Sequence, residues 1–139
     1  MIRSIAIAAG LAVGLCSTAA SAEEAYFRTP SKNISCAYSD DDGKPEVRCD
    51  IRSFTPTSGS RPADCELDWG DAFAIGARDA VGSIICHGDT VISDQAKTLG
   101  YGNVWKGNGI TCMSQETGLT CTNRKGHGFS LSRKKQGIF

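Results

Sequence analysis

The chain has 139 residues, of which 22% are charged, and its 15 basic side chains balance 15 acidic ones. This length allows one compact domain but not two of ordinary size. The neutral total argues against nucleic-acid binding, which depends on a basic surface.

The first 22 residues have the pattern of a cleaved signal peptide. Arg3 precedes an uncharged apolar run at residues 5–15, and small residues follow at 20–22. The run is shorter than the ~20 residues that span a bilayer, so no stable membrane span is expected after cleavage. Cys16 follows a leucine, whereas lipidation requires a small residue there. We predict export to the periplasm or the medium.

Residues 23–139 contain six cysteines, and an even number in an exported chain is typical of a disulfide framework. Structural zinc sites usually pair ligands two to four residues apart, and no two of these cysteines are that close. A Cys-x-x-Cys redox motif is also missing. We therefore predict three disulfides, no metal site and no cofactor. The cysteines are Cys36, Cys49, Cys65, Cys86, Cys112 and Cys121.

Cysteine spacing predicts two stapled β-hairpins. Cys36 and Cys49 have twelve residues between them, and Cys112 and Cys121 have eight, in both cases around turn-forming residues. Opposed residues in a hairpin with a two-residue turn have an even number of residues between them. Sequence alone allows fifteen pairings, so the third bridge follows only by elimination. The predicted pairs are Cys36–Cys49, Cys65–Cys86 and Cys112–Cys121.

Three further segments have the composition of strands. Residues 71–76 and 129–132 alternate between apolar and polar side chains, and residues 81–86 are rich in β-forming types. Turn-forming residues recur at intervals of roughly ten residues, while helix signals are confined to 93–97. The pattern predicts a mostly-β fold, a small antiparallel sandwich or barrel, with residues 23–139 as a single disulfide-stapled domain.

Charge is unevenly distributed along the chain. Residues 23–96 contain 14 acidic and 7 basic side chains, whereas residues 97–139 contain 1 acidic and 7 basic ones. Arg124 and Lys125 are candidate binding residues in this basic third, which could contact an envelope or extracellular protein or an acidic glycan. The alternative, which charge runs more often represent, is pairing with the acidic half or a solvated face.

Motifs for catalysis are missing from the sequence, so no catalytic residue is predicted. Of the two histidines, His127 lies between glycines and is the candidate for a polar function, although a hydrogen-bonded turn residue is the commoner interpretation. Trp105, in a glycine-rich stretch, is a further candidate contact, with a place in the core as the favoured alternative.

Several short motifs, in order, resemble those of a family of small exported bacterial proteins of unknown function. The resemblance implies export, one β-rich domain and bridged cysteines, and it supplies no activity. The motifs are Asn33-Ile34-Ser35-Cys36, Cys65-Glu66-Leu67-Asp68-Trp69-Gly70, Cys86-His87-Gly88-Asp89-Thr90, Gly118-Leu119-Thr120-Cys121-Thr122-Asn123 and Gly126-His127-Gly128-Phe129.

These observations predict a non-catalytic binding or interaction module of the cell envelope or medium. One alternative is a proteinaceous inhibitor of a hydrolase. Another is a small hydrolase that uses His127 with a nearby aspartate. The tip of the Cys112–Cys121 hairpin is interpreted as a plain turn rather than a recognition loop.

Overall fold

The structure is a computed structural model that describes residues 23–139, so the predicted signal peptide lies outside the described residues. Eleven strands form two sheets, and the mostly-β prediction is confirmed. Among the described residues, no helix has the length and hydropathy needed to cross a membrane. The helical signal at 93–97 corresponds to a turn in which the Ser93 carbonyl accepts from the Ala96 amide.

The first sheet has six strands in the order β5-β4-β3-β2-β1-β6. Its pairs are antiparallel, except that β6 lies parallel to β1. The strands are β1 (Glu23–Arg28), β2 (Ile34–Asp41), β3 (Lys44–Ile51), β4 (Ala72–Gly76), β5 (Ser83–Ile84) and β6 (Lys97–Thr98).

The second sheet has five antiparallel strands in the order β11-β10-β9-β8-β7. The two sheets face each other and share one apolar core, which makes the fold a sandwich rather than a closed barrel. The strands are β7 (Val104–Lys106), β8 (Ile110–Gln115), β9 (Gly118–Asn123), β10 (Gly128–Leu131) and β11 (Gln136–Ile138).

The core follows from the two-residue period of the strands. Phe73 and Ile75 of β4, separated by one residue, both point inward and are fully buried. Across the sandwich, the ring of Phe73 lies 6.1 Å from that of Phe129. Alternate side chains of β8 and β9 are buried in the same way. Period-two burial on both sheets produces one contiguous apolar layer.

Two of the three disulfides lie at the centre of this layer. Cys36 faces Cys49 across β2 and β3, and Cys112 faces Cys121 across β8 and β9, each with a Cα–Cα distance of 4.0 Å. The Cys49 and Cys121 sulfurs are 3.9 Å apart, so the two staples are in van der Waals contact across the core. The third bridge, Cys65–Cys86, has a Cα–Cα distance of 5.8 Å. These are the pairs that the hairpin spacing predicts.

The outer faces of the two sheets differ. The chain leaves the first sheet after Ile84, earlier than the strand predicted at 81–86, because His87 pairs instead with Asp68 in an isolated bridge. The segment 85–96 then covers the outer face of β3 and β4, where the small side chains of Ala72 and Ala74 are buried beneath loops. The outer face of the second sheet has no such cover, and its threonines are partly exposed.

Candidate functional site

A cleft opens at one end of the sandwich, where three turns meet. They are residues 29–33 between β1 and β2, 116–117 between β8 and β9, and 132–135 between β10 and β11. The cleft has a volume of about 500 Å³, which lies within the range of ~300–1,000 Å³ typical of small-ligand sites. We call it the three-turn cleft.

The first wall of the three-turn cleft is held by its own side chains. The Thr29 amide donates to the Ile34 carbonyl at 3.0 Å, and Thr29 Oγ1 accepts from the Ile34 amide at 3.3 Å. Asn33 clamps Ser53, because its Nδ2 donates to the Ser53 carbonyl at 3.0 Å and its Oδ1 accepts from the Ser53 amide at 2.9 Å. Thr29 and Asn33 are both buried. Their polar atoms therefore shape the wall and are not available to a ligand.

The wall formed by the β10–β11 turn is stabilised in the same manner. Ser132 Oγ donates to the Lys135 carbonyl and accepts from the Lys135 amide, both at 3.0 Å. Gln136 Nε2 donates to the Ser132 carbonyl at 2.8 Å, while Thr57 Oγ1 accepts from the Gln136 amide at 2.8 Å. The turn is thus tied both to itself and to the loop that contains Thr57.

Gly118 determines how closely two of the turns approach each other. It adopts φ 145°, a conformation that favours glycine, and a Cβ at this position would overlap the carbonyl oxygen of Leu131. The β8–β9 turn can therefore lie against the end of β10 only because residue 118 has no side chain. The width of the cleft depends on this contact.

Six side chains that line the three-turn cleft make no side-chain hydrogen bond or ion pair with the described residues. They include two cations, one carboxylate, an amide, a hydroxyl and an aromatic ring that is 44% exposed. The cleft therefore combines a rigid frame with uncommitted functional groups, which is the arrangement of a preformed binding site. The six are Tyr101, Gln115, Glu116, Thr117, Arg133 and Lys134.

The hairpin tip interpreted from sequence as a plain turn thus supplies half of this set. The sequence analysis missed the site because the lining comes from three turns far apart in the chain. A clue was available in the basic pair Arg133-Lys134 next to a turn, but its proximity to Glu116 and Tyr101 depends on the tertiary fold.

The predicted basic region does not form one surface. Arg124, Lys125 and His127 lie in the β9–β10 turn, at the opposite end of the sandwich from Arg133 and Lys134. Arg124 is exposed, and Lys125 Nζ donates to the Arg78 carbonyl at 3.2 Å. The cations that sequence reasoning grouped together are therefore divided between the two ends.

His127 is a turn residue in the structure. Its amide donates to Asn123 Oδ1 at 3.1 Å and its carbonyl accepts from the Asn123 amide at 2.8 Å. Within residues 23–139, no aspartate forms an ion pair with its ring. The structure does not bring His127 together with the carboxylate that the hydrolase alternative requires.

Trp105 packs against the edge of the core. Its ring stacks on Phe27 with centroids 4.9 Å apart and meets Tyr38 at the same distance in a tilted arrangement. A second groove, of about 510 Å³, runs beside it along β1 and β6. The ring remains half-buried, and neither Arg124 nor Lys125 lines this groove. Trp105 and the three residues of the β9–β10 turn therefore do not form a common site.

The second histidine, His87, is the one with a carboxylate partner. Its Nε2 lies 2.8 Å from Asp71 Oδ1, and its Nδ1 contacts the carbonyl oxygen of Asp89. Both partners are acceptors, so the ring satisfies both only as the doubly protonated imidazolium. Burial lowers the pKa of His87, but the hydrogen bonds to Asp71 and Asp89 outweigh it and raise this pKa above its ordinary value.

An ion-pair network on the outer face of β3 adjoins His87. Asp50 is 1% exposed and accepts from Arg48 Nε at 2.9 Å, from Thr90 Oγ1 at 2.9 Å and from the Val91 amide at 3.0 Å. Arg48 Nη1 also donates to Asp89 at 2.9 Å, and this bond lowers the pKa of the Asp89 carboxyl. The network attaches the segment 85–96 to the sheet.

His87 and its partners thus have a structural function. The imidazole is 6% exposed, and both ring nitrogens face acceptors of the protein itself. Such a ring has no nitrogen left to exchange a proton with a substrate. Among the described residues, no three His, Cys, Asp or Glu side chains converge as metal ligands. The signal for this network was the His-Gly-Asp-Thr motif, which sequence reasoning treated only as a point of resemblance.

Comparison with known proteins places the chain in a family. A family model described as a family of unknown function, DUF6636, matches residues 6–139. The chain belongs to this family. No curated protein and no solved structure matches it significantly. Membership agrees with the resemblance seen in the motifs, and it assigns no activity, so the geometry of the three-turn cleft is the basis for a functional proposal.

Proposed function

We propose that the protein is an exported, non-catalytic binding module whose ligand occupies the three-turn cleft. The observation that carries this proposal is the division of labour among the lining residues. Thr29, Asn33 and Ser132 use their polar groups to build the walls, whereas six other side chains are left uncommitted toward the cleft. A preformed site of this kind binds without a large cost in ordering.

Three disulfides within one chain indicate an oxidising environment. Together with the predicted signal peptide, they support export to the periplasm or the medium as the place of action. The arrangement of the two histidines supports function without catalysis, because His87 is committed to structural acceptors and the ring of His127 has no carboxylate partner in residues 23–139.

The test is capture of ligand by the oxidised exported protein from its native envelope and culture medium, with a variant that fills the cleft. Thr117→Trp places a large ring at an exposed turn tip whose side chain makes no hydrogen bond. The matched control is Arg124→Trp, which adds the same ring to the exposed turn at the opposite end. Circular dichroism and thermal melting establish that both variants keep the fold.

We expect Thr117→Trp to abolish retention of the captured component and Arg124→Trp to leave it unchanged. Retention that survives Thr117→Trp but not Arg124→Trp would place the binding surface at the other end and contradict the proposal. A hydrolase retained equally by both variants would favour the inhibitor alternative.

A further inference from the structure

We infer that the three-turn cleft recognises a saccharide that bears carboxylate groups. This inference rests on the proposed function of the cleft and names the class of its ligand. Arg133 and Lys134 line the cleft without an ion-pair partner among the described residues. Unpaired cations in a concave site select an anionic ligand, and the planar guanidinium matches a carboxylate bidentately.

The cleft does not have the construction of a peptide site. Extended peptides bind by adding a strand to a sheet edge, where backbone groups are unpaired. The edge strands here are β5, β6, β7 and β11, and none of them lines the three-turn cleft. The backbone of the 29–33 turn is bonded internally, as is that of the 132–135 turn. A ligand must therefore be recognised by side chains.

The uncommitted side chains match the surface of a sugar. The ring of Tyr101 is 44% exposed and offers an apolar platform for the C–H face of a pyranose. A tight turn holds it, because the Gly102 amide donates to the Ser114 carbonyl at 2.7 Å. Gln115 and Thr117 supply donors and acceptors for sugar hydroxyls.

Glu116 restricts the charge density of the ligand. Its carboxylate lies in the same cleft as the two cations, where it accepts hydrogen bonds from hydroxyls but repels an adjacent anion. A densely sulfated or phosphorylated polymer would bring anions against it. A uronic-acid saccharide has isolated carboxylates separated by hydroxyls, which suits two cations and one acid.

The test is an NMR titration of the oxidised, ¹⁵N-labelled exported protein with three defined probes: tri-galacturonate, its methyl ester and tri-glutamate. We expect tri-galacturonate to shift the amides of 101, 115–118 and 132–134, and added salt to weaken that binding. The methyl ester keeps the hydroxyls but loses the charge, and tri-glutamate keeps the charge but loses the sugar, so both are expected to bind more weakly. The amides of 124–127 are expected to remain unshifted.

Variants assign the interaction to the cleft. Arg133→Ala combined with Lys134→Ala is expected to weaken tri-galacturonate binding about tenfold or more, because hydrogen bonds to charged groups are lost. The matched control, Arg124→Ala with Lys125→Ala, removes the same charges at the opposite end and is expected to leave affinity unchanged. Equal losses in both double variants would show non-specific attraction and overturn the inference.

Two further results overturn the inference without removing the proposed function. Cleft amides that respond to tri-glutamate as strongly as to tri-galacturonate would show recognition of charge alone. Cleft amides that do not respond to tri-galacturonate would show that this ligand class is wrong. In either case the capture experiment with Thr117→Trp still decides whether the cleft binds a ligand.

Discussion

The two stapled hairpins, β2–β3 and β8–β9, contain the same device in different surroundings. Each places a disulfide between directly opposed cysteines, and the two bridges touch in the core. On the outer face, however, the second cysteine is flanked by Arg48 and Asp50 in β3 but by Thr120 and Thr122 in β9. The charged pair lies under the segment 85–96, whereas the threonines are partly exposed.

The tips of the hairpins differ as well. The β2–β3 tip is an exposed acidic turn at the end of the sandwich away from the three-turn cleft, and the β8–β9 tip forms one wall of that cleft. An identical staple therefore stabilises two hairpins with different functions. What a hairpin does here is decided by the segments that pack on its outer face and around its tip.

The largest effect is expected from Asp50→Ala on the covered hairpin. The substitution leaves Arg48 and the Val91 amide without their buried partner, which should cost about 3–5 kcal/mol in the free energy of unfolding. Thr122→Val, at the equivalent position after the second cysteine of β9, should change it by no more than about 0.5 kcal/mol. Urea denaturation of both variants measures the difference. Equal costs would show that the two outer faces do not differ energetically.

Removal of either central staple is expected to have the next largest effect. Replacing both cysteines of one pair with alanine should cost about 2–5 kcal/mol for Cys36–Cys49 and for Cys112–Cys121 alike. Because the two bridges touch, the fourfold variant should deviate from the sum of the two by roughly 0.5–3 kcal/mol. Denaturant midpoints and slopes of the three variants test this. Strict additivity would contradict a coupled core.

His87 makes the covered hairpin sensitive to pH. Its pKa is raised in the folded state, so its contribution to stability is complete below the unfolded-state value of about 6.5 and is lost as the pH rises through the folded-state value. Stability should therefore fall on going from about pH 5.5 to about pH 9. At the lower pH, His87→Gln should cost about 1.5–3 kcal/mol through loss of charged hydrogen bonds.

Unfolding measured across this pH range gives the necessary controls. Three carboxylates act on His87, namely those of Asp71, Asp89 and Asp50. The Asp89 pKa is lowered, so its own contribution is lost only in acid and does not overlap this window. His87→Gln should flatten the pH profile, while His127→Gln should preserve it. A profile that is unchanged in His87→Gln would exclude the charged His87 as its cause.

The smallest effect on stability is expected at the open hairpin's tip. Replacing Gln115, Glu116 and Thr117 with other turn-compatible polar residues should shift the free energy of unfolding by less than about 0.5 kcal/mol, because the exposed side chains make no hydrogen bonds. Gly118 must be kept. The same replacement should abolish ligand capture. An equivalent exchange in the tip of the β2–β3 hairpin should leave both properties unchanged, and loss of capture there would reverse the functional comparison.

The sequence by itself determined the class of fold and the hairpin frame of the protein. Turn residues between alternating strands, and cysteines separated by an even number of residues, express local rules of hairpin geometry, so the pairs Cys36–Cys49 and Cys112–Cys121 could be read from spacing. The division of the strands into two sheets rather than one barrel did not follow from spacing, because it depends on which strand edges remain unpaired.

Only the tertiary structure decided where function could reside. The three-turn cleft joins residues near positions 30, 101, 116 and 133, and no periodicity in the sequence relates them. The His87 network likewise joins residues from β3, β4 and the 85–96 segment. Hydrogen bonds within a hairpin connect residues close in the chain, whereas clefts and buried ion pairs depend on packing between distant segments. For that reason local patterns predicted the frame, and the site became visible only once the two sheets were packed together.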